Sequence, residues 1–237
     1  KRSISNGEIQ AITDETSNVI EEMAKMNSKI GEGHLICFVQ GIESAQILKG
    51  SIISHFQQFE QKDEMKNVVI MKTILKPNES ADSYFSRLRK EFELVKGMNE
   101  VDGDKNDCLY FVILDLIDQS DISKIKIAQN NFPEDLHQIN KIICSLYSID
   151  SLAIDKLSVV IDFGLSKVWF FNCDIGFYAS HVIRSSRQSM NQKKGLLGRT
   201  MKGLYISFFK QDKYLAKQIF DETETSVVHD DLTQGIL

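Results

Sequence analysis

The chain has little of what would place it quickly. Its 237 residues include 2 Pro, 13 Gly, 1 Trp and 4 Cys. So few prolines and glycines exclude a collagen-like or low-complexity protein. No apolar run approaches the roughly 18–20 residues that a membrane-spanning helix needs, and the longest, residues 109–116, is broken by Asp115. An excess of positive charge is missing too. The 28 Lys and Arg against 33 Asp and Glu leave a net charge of −5, so the protein as a whole is not a basic nucleic-acid binder. What is present is core material. With 42% hydrophobic residues and 14 Phe, the chain is too apolar to stay disordered, and its length fits one large domain or two small ones.

Cys37, Cys108, Cys144 and Cys173 lie far apart, with no CxxC pair and no Cys/His spacing suited to zinc. They read as buried thiols in a reducing compartment, the alternative being a secreted protein with two disulfides. No apolar core of a signal peptide follows the charged first residues. A cytoplasmic protein without membrane insertion is the expectation.

Hydrophobic spacing gives the elements. Ile9, Ile12, Thr16, Val19, Met23, Met26 and Ile30 recur at alternating intervals of three and four, the seam of a heptad repeat. Such a helix either pairs with a copy of itself through residues 9–30 or docks on its own domain; Gly31 and Gly33 stop it. Residues 34–39 read as a buried strand and 43–61 as a helix with Ala45, Leu48, Ile52, Phe56 and Phe59 on one stripe. Residues 67–75 form a second strand. Ser80 caps a helix that Gly97 ends, and 108–117 is the most convincing central strand. Pro133 and Glu134 open a helix facing inward through Leu136, Ile139, Ile143 and Leu146. Residues 157–163 and 167–172 suggest an antiparallel hairpin, 176–183 a further strand, and 196–220 a long closing helix. The predicted class is α/β, with α+β as the alternative: a single mixed sheet flanked by helices. It has an amphipathic arm at 1–33, one domain at 34–220 and an acidic tail at 221–237.

Motifs for chemistry are sparse. There is no GxxxxGK[ST] and no GxGxxG after a strand, so no phosphate loop and no cofactor is implied. Phe38-Val39-Gln40-Gly41 resembles the strand–Glu–Gly opening of Toprim domains, but Gln40 stands where that family has its acid, and Asp115 and Asp118 lack its DxD spacing. Asp115, Asp118 and Asp162 at strand exits are the candidate metal ligands of a phosphoryl-transfer or nuclease-like enzyme. The five His fall in no HExxH and beside no GxSxG.

The strongest pointer is charge asymmetry. Residues 175–211 hold no Asp or Glu but seven bases: Arg184, Arg187, Lys193, Lys194, Arg199, Lys202 and Lys210. Neighbouring Ser, Asn and Gln residues add phosphate-binding donors, and Phe177, Tyr178 and Tyr205 offer rings for stacking. Residues 195–198 are formally a GxxG, as in KH domains, but with Leu at both middle positions. The leading reading is a non-enzymatic, oligomeric interaction protein that meets DNA, RNA or another anionic partner through Arg184, Arg187, Lys193, Lys194, Arg199 and Lys202. The alternatives are the metal-dependent enzyme and a structural subunit of a viral or multiprotein assembly contacting a protein. The acidic tail is itself a candidate partner for the tract.

Overall fold

The computed structural model describes residues 6–23, 33–39, 42–60, 68–101, 108–116, 122–145, 154–172 and 176–208. Its elements run α1 (Asn6–Met23), β1 (His34–Phe38), α2 (Ile42–Glu60), β2 (Val68–Ile70), α3 (Ala81–Val101), β3 (Leu109–Leu116), α4 (Ile122–Gln129), β4 (Ile139–Ser145), β5 (Leu157–Asp162), β6 (Leu165–Asn172), β7 (Phe177–Arg184), α5 (Arg187–Lys194) and β8 (Leu204–Ser207). Six strands form one sheet in the order β2-β3-β4-β1-β5-β8, every pair parallel. Parallel neighbours need crossovers over a face of the sheet, which cover its strands on both sides. That is why β1, β4 and β5 are buried at every position.

Two cores result, one per face. Val19 and Ile20 of α1, with Ala45, Leu48, Ile52 and Phe56 of α2, cover Leu35, Cys37, Phe111, Ile113, Ile142 and Cys144. Tyr84, Leu88 and Phe92 of α3, with Ile127 and Ala128 of α4 and Leu196 just after α5, cover Ile36, Val112, Leu114, Ile143 and Val160. The α/β class predicted from the alternation of periods is what the chain adopts, and its antiparallel component stands apart as a two-stranded ribbon, β6–β7. Among the described residues no helix is long and apolar enough to cross a membrane. Cys37, Cys108 and Cys144 are not in disulfides, while Cys173 lies outside the described residues.

Several predicted elements are corrected. Residues 157–162 do not form a hairpin with the strand that follows; they enter the parallel sheet between β1 and β8, and Gly164, at φ 68°, turns the chain out into the β6–β7 ribbon. Ile139 and Ile143 mimicked a helical stripe because β4 is covered on both faces, so its apolar residues do not alternate with polar ones. Only Glu134–Leu136 makes a helical turn there, a 3-10 one. Inside the predicted 196–220 helix, Leu204–Ser207 is an edge strand, and residues beyond 208 lie outside the description. Gly97 does not stop α3, which runs to Val101.

The amphipathic arm packs on its own chain. Thr13, Thr16, Ser17, Val19 and Ile20 of α1 are buried, and the Thr16 hydroxyl lies 3.6 Å from Cys37 Sγ. Thr16 and Val19, two of the heptad positions, are therefore already covered by this domain; residues 24–30 of the predicted seam lie outside the described set.

One buried cation joins α4 to the sheet. Lys141, fully buried in β4, donates through Nζ to the carbonyls of Ile127 (2.8 Å), Ala128 (3.2 Å) and Asn130, which satisfies the C-terminal end of α4. Its Nζ also sits 4.6 Å from the centre of the Phe132 ring. Desolvation pushes its pKa down to about 7, opposed by the charge of Asp155.

Candidate functional site

The described part of the acid-free tract, residues 176–208, folds into β7, helix α5, the segment that follows it and β8. Ser186 starts α5: its side chain accepts from the Ser189 N–H at 3.1 Å, while Lys194 in the last turn suits the negative end of the helix dipole. Residues three or four apart share a helix face, and this divides the tract. Ser189, Lys193 and Leu196 face inward and are buried, while Arg187, Gln188, Asn191, Gln192 and Lys194 are exposed. Arg187, Gln188, Asn191 and Gln192 line a shallow open depression. Each of these four side chains carries N–H donors, so the depression suits an acceptor-rich ligand such as phosphate or carboxylate.

Arg184, Arg199 and Lys202 are also exposed, but not at one spot. At one end of the segment the Ser185 N–H donates to the Gly164 carbonyl, 2.9 Å away, just past β5. At the other, the Lys156 N–H donates to Thr200 Oγ1 at 3.0 Å, just before β5. Helix α5, about 12 Å long at 1.5 Å per residue, therefore runs back along β5. Arg184 and Arg187 lie toward the C-terminal edge of the sheet, and Arg199 and Lys202 toward its N-terminal edge. Lys210 lies outside the described residues.

Lys193 is the correction. Its side chain is 3% exposed and pairs with Asp162, itself 1% exposed, at 2.8 Å. Asp162 Oδ1 also accepts from the Gly164 N–H (2.9 Å) and its Oδ2 from the Tyr205 hydroxyl (2.7 Å), while Lys193 Nζ donates to Ser185 Oγ (3.3 Å) and lies over the Phe38 ring. Burial, then the negative charge of Asp162, raises the Tyr205 pKa. A strand-end carboxylate expected to hold metal and a cation expected to hold phosphate thus neutralise each other, and Tyr205 is tied into the same network rather than offered for stacking.

Asp115 is held likewise, by Lys124 of α4 at 2.8 Å and Lys49 of α2 at 3.3 Å. It shares the face of Phe111 and Ile113, whereas Asp162 shares that of Val160, so the two point to opposite sides of the sheet. Two strands, β4 and β1, separate β3 from β5, which puts the two acids roughly 14 Å apart at about 4.8 Å per strand. One ion needs its oxygen ligands within about 2.6 Å, so it cannot take both. Asp118 lies outside the described residues, among which no cluster of three or more potential metal ligands occurs.

Lys49 and Lys124 had no signal in the sequence, since only the crossovers bring them to Asp115. The 189–193–196 spacing did carry one for Lys193: it places that residue on the same stripe as Leu196.

The sequence matches no protein-family model and no curated protein. Solved structures do resemble the fold. The Escherichia coli DExH-box NTPase HrpB aligns over 94% of this chain with a TM-score of 0.57 and 16% identity, and a second structure, titled as the E. coli DEAH/RHA helicase HrpB, over 94% with 0.59 and 16%. This chain spans 20% and 21% of those two, so what it shares with them is the fold of about a fifth of a helicase chain.

Proposed function

We propose that the chain is a non-enzymatic nucleic-acid-binding module, a helicase-like α/β unit that contacts the phosphate backbone through Arg184, Arg187, Lys194, Arg199 and Lys202. The observation that carries this reading is the exposed face of α5, where Arg187 and three amide side chains line a shallow depression and Lys194 is exposed. The likeness to part of a helicase chain supports nucleic acid over other polyanions. Neutralisation of Asp115 by two lysines and of Asp162 by Lys193 supports a binding role over metal-dependent phosphoryl transfer.

Fluorescence anisotropy with labelled single-stranded RNA and duplex DNA tests it. With five contacting cations, log Kd against log salt has a slope of up to about 3.5 for single strands and about 4.5 for duplex DNA. Arg184→Glu with Arg187→Glu weakens binding at least about tenfold at ~50 mM salt. Binding that survives the charge reversal, or none at ~50 mM salt, overturns the proposal.

A further inference from the structure

We propose that the acidic C-terminal stretch, residues 221–237, occupies the α5 depression of its own chain and competes there with nucleic acid; this regulatory contact rests on the binding function proposed above. The charges are segregated along the chain. Residues 175–211 carry seven bases and no acid, while residues 221–237 carry Asp221, Glu222, Glu224, Asp230 and Asp231 and no Lys or Arg.

The last described residue lies at the C-terminal edge of the sheet, the edge from which α5 starts. Phe208, the last described residue, donates its N–H to the Asp162 carbonyl at 3.2 Å and stacks on Phe163 with ring centres 5.3 Å apart. The side chain of that same Asp162 grips Lys193 of α5. From Phe208 to Asp221 are thirteen residues, with a reach of at most about 45 Å, several times the roughly 12 Å length of α5. The ligand chemistry agrees as well. Arg187, Gln188, Asn191 and Gln192 present donors, and a carboxylate offers the same acceptor oxygens as a phosphate diester. Tethering raises the effective concentration of a weak competitor to about the millimolar range, enough to rival nucleic acid at low occupancy.

The experiment compares nucleic-acid binding of the full chain, a chain ending at residue 220, and a full-length variant with Asp221→Asn, Glu222→Gln, Glu224→Gln, Asp230→Asn and Asp231→Asn. The probe is a labelled single-stranded oligouridylate, with a free peptide of residues 221–237 as competitor. Truncation and neutralisation each tighten Kd by about tenfold at ~50 mM salt, the gap closes at high salt, and the peptide restores weak binding to the truncated chain. Equal affinity of all three overturns the tail contact and leaves the binding function standing. Tightening by truncation alone shows an uncharged obstruction and overturns it too, as does inhibition that depends on protein concentration, which assigns the tail to a second copy. Absence of binding by every chain overturns the binding function, and the tail contact with it.

Discussion

Replacing Lys193 by Met removes one partner of an ion pair whose two side chains are 3% and 1% exposed. Met is of similar length and uncharged, so the change removes the ammonium together with its position 5.2 Å from the centre of the Phe38 ring. Asp162 would then be a buried carboxylate with two remaining donors, the Gly164 N–H and the Tyr205 hydroxyl. Breaking a buried pair from one side costs about 3–5 kcal/mol, because the survivor stays desolvated without its counter-ion. For a chain of 237 residues that is a fall in Tm of about 10 °C, at roughly 2–4 °C per kcal/mol. Urea unfolding followed by circular dichroism measures it. The double variant Asp162→Asn, Lys193→Met removes the stranded charge and recovers more than half of the loss, a coupling that a double-mutant cycle reads directly. A Lys193→Met protein within about 1 kcal/mol of wild type would refute the reasoning. If such a protein also lost RNA affinity as Lys194→Met does, Lys193 would be a surface cation after all, as the sequence alone suggests.

Two further predictions concern β1. His34 accepts from the Lys141 backbone N–H through Nδ1 (3.2 Å), and burial, reinforced by the charges of Lys141 and Lys156, pushes its pKa from 6.5 down to about 3. The unfolded chain therefore binds the proton first as pH falls, and stability drops between about pH 6.5 and 3 by up to about 1.4 kcal/mol per unit. His34→Gln, which keeps an acceptor, removes that component in urea titrations across the window; parallel curves for the two proteins would count against it. Gly33→Ala places a Cβ 2.5 Å from the Lys156 carbonyl oxygen and 2.9 Å from Ser158 Cβ, which forces β1 away from β5. We expect a loss of about 2–3 kcal/mol, whereas Gly97→Ala, in an exposed helical site with nothing within 4 Å, gains about 0.5–1 kcal/mol; equal effects would contradict the close approach.

The sequence by itself determined the α/β class, the strands it placed at 34–39 and 108–117, and the apolar face of α2. These follow from local periodicity and composition, which act within a few residues. It misjudged β4 and β5, because a strand covered on both faces loses the alternation that marks strands, and two strands separated by Phe163-Gly164 look like a hairpin whether or not they pair. It also counted Lys193 and Asp162 as separate functional groups. Their meeting across 31 positions, like that of Asp115 with Lys49 across 66, is decided only when crossovers and α5 are laid on the sheet. Charge in a sequence is a list of valences; whether a charge reaches solvent depends on what the tertiary structure packs against it, because an opposite charge at 2.8 Å in a buried site holds it more tightly than a polyanion outside.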